Sequence, residues 1–144
     1  MSGAEDAWEE LVRALRRLQE RWPSPDWVYD HRLSCVTSSF PLSAESAART
    51  IIAEITPTSW SASTLAEAPP DVRALAERCG GLRASQVLFW GGRPGALGAF
   101  GLWWPWADGK TISLRIGLHD VDTPEQRYPG LRGIFGIPEP AAPA

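Results

Sequence analysis

The chain reads as an α+β protein: a mixed or mainly antiparallel sheet of four or five strands with three helices. Three observations predict this. Apolar residues recur at helical spacing in three segments before residue 80. After residue 86, three apolar runs follow one another with only turn-forming residues between them, a C-terminal β-meander. The last run, Thr111 to Leu118, alternates strictly between aliphatic and polar or small residues, the period of a half-buried strand. Strands that arrive late and in succession argue against a doubly wound sheet, so the expected order is α-β-α-(β)-α-β-β-β.

Each element has its own warrant. Ser2 and Glu5 form an S-x-x-E capping box, and Trp8, Leu11, Val12, Leu15, Leu18 and Trp22 then fall on one helical stripe. Pro23 and Pro25 stop that helix. Trp27 to Val36 is predicted as one strand, with Leu33 and Cys35 on one face and Val28 and Val36 on the other. Ser43 is placed as the cap of a second helix, with Ala47, Ala48, Ile51 and Ile55 inward and Pro57 beyond its end. Thr58 to Leu65 alternates weakly, as a short edge strand or a loop would. Pro69-Pro70-Asp71 opens a third helix with Val72, Leu75, Ala76 and Cys79 inward. Gly80-Gly81 ends it, since a left-handed residue there satisfies the last carbonyls, and Leu82 supplies the accompanying apolar contact. Gln86 to Trp90 is continuously apolar, as an inner strand is. Leu131, Ile134, Phe135 and Ile137 close over the core, giving one globular domain over residues 1–137 and a disordered Pro/Ala tail over 138–144.

The stretch Val87 to Leu118 holds four of the eight tryptophans and a hairpin whose register can be counted. Asp108-Gly109 predicts a two-residue type I′ loop, because both central residues then need positive φ. Counting outward, Trp106 faces Thr111, Trp104 faces Ser113, Leu102 faces Arg115 and Phe100 faces Gly117; Trp103 meets Leu114 on the other side. Ile112, Leu114, Ile116 and Leu118 mark the core side. Phe100, Leu102, Trp104, Trp106 and Arg115 therefore share the opposite side and form the candidate binding surface. Helix 1, with Trp8 and Trp22, either covers that side as a second aromatic core or leaves it open as an apolar patch of the kind that binds partners. Pro105 removes a ladder donor and is a place for a bulge.

Composition excludes several functions. The net charge is −3 and the pI 5.4, with the arginines scattered, whereas a nucleic-acid binder shows a basic stripe or a pI above ~9. No run approaches the ~20 apolar residues of a membrane span. The acidic start MSGAEDAWEE is no signal peptide, so a cytoplasmic location is expected. Abundant Arg, Ala and Pro with no Asn suggests a GC-rich bacterial genome. Cys35 and Cys79 match neither a disulfide framework nor a metal spacing and read as small core hydrophobes.

No motif carries chemistry. GGRPGALGAFG precedes a strand instead of a helix, so no helix N-terminus awaits a phosphate. Gly109-Lys110-Thr111 lacks the Gly five residues upstream that a Walker loop needs; Trp104 stands there. His31, His119, Asp120 and Asp122 are the residue types of a divalent-metal or acid–base site, yet an Asp after a strand is ordinarily a turn or cap. A Cys35 nucleophile activated by His31 fails on reach, since four strand residues span ~13 Å. The expectation is thus a non-enzymatic protein-binding accessory or adaptor module with no cofactor. An immunity or regulatory subunit of a bacterial effector system is a special case. The alternatives are a small-molecule binder or small enzyme with a pocket between helix 1 and the aromatic face, and a homodimeric structural module.

Overall fold

The computed structural model describes residues 3–93, 95–121 and 130–137. Ser2 of the capping box, Asp122 and the Pro/Ala tail lie outside the described residues. The elements are α1 (Gly3–Arg21), β1 (Trp27–Asp30), β2 (Cys35–Pro41), α2 (Glu45–Ile55), β3 (Thr58–Ser61), α3 (Pro70–Arg78), β4 (Val87–Trp90), β5 (Gly98–Pro105), β6 (Thr111–His119) and α4 (Gly130–Ile134). The fold is α+β. The strands form one sheet in the order β1-β2-β6-β5-β4-β3, antiparallel at every neighbouring pair.

Six strands stand where four or five were expected, because the predicted strand Trp27–Val36 is a hairpin. Asp30 makes the turn. Its Oδ1 accepts the backbone N–H of Arg32 at 2.9 Å and of Leu33 at 3.3 Å, and Ser34 takes φ 53°. A short polar side chain that captures the N–H groups two and three residues on mimics a backbone turn. Among the described residues the helices number four where three were expected, because α4 is too short for a helical period to show. Ser43 does not cap α2: it lies in a 3-10 turn, Leu42–Ala44, and Ala44 holds the cap position without a side-chain bond. α3 ends as expected. Gly81 N–H donates to Ala76 O and Gly80 N–H to Glu77 O, with φ 94° at Gly80, the paired bonds of a Schellman end.

The β5–β6 register is the one counted from the sequence, from Ala99↔Leu118 to Trp104↔Ser113. The loop differs from the predicted two-residue turn, since Gly109 has positive φ (68°) and Asp108 does not. Asp108 Oδ1 instead accepts the N–H of Lys110 and Thr111, at 2.8 and 3.0 Å, which ties a wider loop without a left-handed Asp. Pro105 causes no bulge and pairs with Ile112 in register. Hydrogen-bonded and non-hydrogen-bonded pairs alternate in an antiparallel ladder, and Trp106 N–H donates to Thr111 O. Pro105 therefore occupies a non-hydrogen-bonded position, where its missing donor is not needed by β6.

Three layers result. On one face α1, α2 and α4 bury Val36, Phe40, Phe89, Trp103, Ile112, Leu114 and Ile116, with Leu15, Leu18 and Trp22 among the helical contributors. Trp22 Nε1–H donates to Ser38 Oγ at 2.9 Å and Gln19 Nε2–H to Ile134 O at 3.0 Å, fixing α1 to sheet and α4. On the other face α3 sets Val72, Leu75 and Ala76 over Cys35, Leu88, Trp90, Phe100 and Leu102. Each fully buried Val, Leu, Ile or Phe among these contributes about 1.5–3 kcal/mol on burial. Helix 1 is thus on the aliphatic face, not on the Trp104 face, and the aromatic face is covered by a helix that sequence reasoning did not assign to it.

Candidate functional site

α3 is a nine-residue helix, and it covers only part of its face. Phe100 and Leu102 are sealed beneath it, 3% and 0% exposed. Gly117, opposite Phe100, makes this packing possible: a Cβ there would come within 2.6 Å of Phe100 Cε1 and 3.0 Å of Cys35 Sγ. Towards the β5–β6 loop the cover ends. Trp104 and Arg115 are partly exposed, Trp106 is 50% exposed, and Val28, on the same face at the sheet edge, is 62% exposed. The five residues that the register placed on one side do share it, but two lie under α3 and three reach its open end.

The open end is built in two parts. In the first, the Arg115 guanidinium stacks 4.3 Å above the Trp104 ring, and its Nε–H lies 3.3 Å from Asp30 Oδ2. Burial pushes the Asp30 carboxyl up, but the N–H groups of Leu33 and Arg32 and the bond and charge of Arg115 outweigh it and hold the carboxyl below its ordinary range. Cation–π contact and ion pair together hold Arg115 in one position. In the second, Trp106 Nε1–H donates to Ser113 Oγ at 2.6 Å, and Ser113 Oγ lies 2.9 Å from Ser39 Oγ. An indole N–H can only donate, so Ser113 Oγ accepts from Trp106 while it shares a second hydrogen bond with Ser39. Trp106 is therefore exposed and tethered at once. Trp104 Nε1 and Thr37 Oγ1, on the same face, are buried with no hydrogen-bond partner among the described residues.

Among the described residues the metal candidates His31, His119 and Asp120 form no metal-holding group. His31 is exposed on the β1–β2 turn with its ring 4.8 Å from Tyr29. His119 is buried, stacked on Trp90 at 4.0 Å, with Nε2 2.6 Å from Gly91 O and Nδ1 2.7 Å from Asp120 Oδ2. A carbonyl only accepts, so Nε2 donates to it, and Nδ1 faces the Asp120 carboxylate. Both ring nitrogens are consumed inside the fold. The glycine-rich segment explains itself here. Gly98 must lack a side chain because a Cβ there would collide with the Gly91 carbonyl oxygen and lie 2.6 Å from His119 Nε2, and Gly92 takes φ 92°. Among the described residues no group of three or more His, Cys, Asp or Glu is placed to hold a metal ion. Cys35 and Cys79 are free; burial, with Cys79 nearby, pushes the Cys35 thiol up to about 12, far from a nucleophilic thiolate.

Sequence reasoning missed the part that Asp30 plays. Its signal was the polar run Asp30-His31-Arg32 inside a predicted strand, which a turn explains better. Among the described residues no helix is long and apolar enough to cross a membrane. A scan of the chain against protein-family models finds no match, and neither do searches of curated proteins and of solved structures.

Proposed function

We propose that the chain is a non-enzymatic protein-binding module, an accessory or adaptor subunit, that docks a protein partner through the open end of the α3 face. Trp106 is the anchor, and the Trp104–Arg115 stack is its neighbour. One observation carries this reading: a tryptophan half exposed to solvent whose indole is nonetheless tied to Ser113. Binding energy concentrates in a few Trp, Tyr and Arg side chains at the centre of an interface. Ordering a side chain on association costs about 0.5–1.5 kcal/mol, and a tether already made removes much of that cost. Arg115, locked by Asp30 and Trp104, is prearranged in the same way. Phe100 and Leu102 act from beneath, as the packed floor that holds Trp104 in place.

Affinity capture from a lysate of the native host tests the reading, followed by calorimetry with the purified captured protein. Wild type and Arg17→Ala, altered on the exposed side of α1, should bind alike, and Trp106→Ala should lose binding. A partner held equally by Trp106→Ala overturns the proposal. Light scattering at two concentrations separates it from self-association, which raises the mass with concentration in the absence of any partner.

A further inference from the structure

A groove at the opposite end of the molecule has a chemistry of its own. It wraps the edge of the sheet where the β1–β2 turn, the end of α3, the end of β6 and the start of α4 meet. One lobe, of about 430 Å³, is floored by Leu33, Leu75, Cys79 and Phe100. The next, also about 430 Å³, is lined by Tyr29, Val121 and Leu131. Ser34, Arg78 and Leu118 border both, so the lobes are continuous, and Arg32 stands on the rim of the first. The size is that of a small-molecule site, with apolar side chains on its floor and polar groups along its border.

Charge distinguishes this groove from an ordinary surface cleft. Arg32 and Arg78 are exposed, and neither has a carboxylate within 4.0 Å among the described residues. Of the neighbouring carboxylates, Asp30 is occupied, Oδ1 by the turn N–H groups and Oδ2 by Arg115, and Asp120 Oδ2 lies 2.7 Å from His119 Nδ1. Cys79 adds no counter-charge, because burial pushes its thiol up and keeps it neutral. Two guanidinium groups beside an apolar trough match a molecule with an anionic head and an apolar body. The planar fork of Arg suits an oxyanion, and a hydroxyl such as that of Ser34 can add a donor.

We propose that this groove binds a small organic oxyanion with an extended apolar body, its head between Arg32 and Arg78 and its body along Leu118. The site is separate from the Trp106 surface and does not depend on it. Calorimetric titration tests it with four probes: decanoate, decyl phosphate, decanol and inorganic phosphate, each below its aggregation concentration. Decanoate or decyl phosphate should saturate a single site, and whichever binds tighter identifies the head. Decanol should bind at least about tenfold more weakly, and inorganic phosphate should give no saturable heat. The exposed-residue double variant Arg32→Gln/Arg78→Gln should lose about tenfold or more with its melting temperature unchanged, while Trp106→Ala binds as wild type does. Leu118→Trp, which fills the junction of the lobes, should also block binding. Equal binding of decanol and decanoate, an unaffected double variant, phosphate binding as tightly as decyl phosphate, or no binding of either organic anion each overturns the proposal.

Discussion

Trp103 and Trp104 are adjacent in sequence and opposite in circumstance. Trp103 is 2% exposed in a face closed by three helices, with Phe40 and Phe89 edge-on at 5.5 and 5.9 Å and the Arg49 guanidinium 5.4 Å from its ring. Trp104 lies at the border of a face closed by α3 and the short turn from Leu65 to Ala68, where cover gives way to solvent before Trp106 is reached. The alternation of strand side chains sends the two to different sides whatever their chemistry. What then decides burial is how many helices the connections deliver to each side. The difference teaches that aromatic content alone does not mark a working surface; the reach of the covering helix does.

Truncation should show the contrast at its largest. Trp103→Ala removes a fully enclosed ring and is expected to lower unfolding free energy by about 3–5 kcal/mol, a large part of the roughly 5–15 kcal/mol of a typical domain. Urea denaturation measures it directly. If Trp103→Ala and Trp106→Ala shifted the midpoint equally, the two faces would not differ as described.

The boundary on the α3 face is sharpened by Gly117→Ala. The added methyl meets Phe100 and Cys35 in the covered half, and overpacking of this kind is expected to cost about 1–3 kcal/mol. A neutral result would mean that Phe100 does not rest on β6. Trp106→Ala comes next. Half its surface is already in water, so the expected loss, one hydrogen bond and the buried half of the ring, is about 1–2 kcal/mol, while partner binding falls much further than stability.

The sequence was legible where local and tertiary signals agree. Ile112, Leu114, Ile116 and Leu118 alternate without exception, and Asp108-Gly109 supplies a turn, so the β5–β6 register could be counted even though the loop is wider than a two-residue turn. The same counting failed for Trp27–Val36, because the turn after Asp30 contains neither Gly, Pro nor Asn and puts its positive φ on Ser34. Helix stripes say which residues face inward, but not which side of a sheet the helix crosses to. That is why α1 was a candidate cover for Trp104 and α3 was not. The glycines at 91, 92, 95 and 98 are plain in the sequence, while the need for Gly98 is visible only once the Gly91 carbonyl and His119, 21 positions later, are seen lying against it.

The smallest expected effect probes what holds the open end in place. Asp30 carries the turn N–H groups on one oxygen and Arg115 on the other, and its carboxyl is held below its ordinary range. A group with a depressed folded value contributes stability above the unfolded value, about 3.9 for Asp, and loses it as pH falls through the folded value. Wild type should therefore exceed Asp30→Asn in stability at pH 6 and approach it near pH 3, by less than the loss at Trp106. A gap that persists undiminished at pH 3 would assign the effect to the turn geometry alone. Acidification through the folded value of Asp30 should release Arg115 from it while the stack on Trp104, which needs no carboxylate, survives. Near-ultraviolet circular dichroism of the tryptophans, compared between pH 6 and pH 3 in wild type and Arg115→Gln, separates the two contacts. If the ion pair positions Arg115, the wild-type signal shifts on acidification and the variant's does not. If the stack alone suffices, neither changes, and the preorganisation of this surface rests on the aromatic contact.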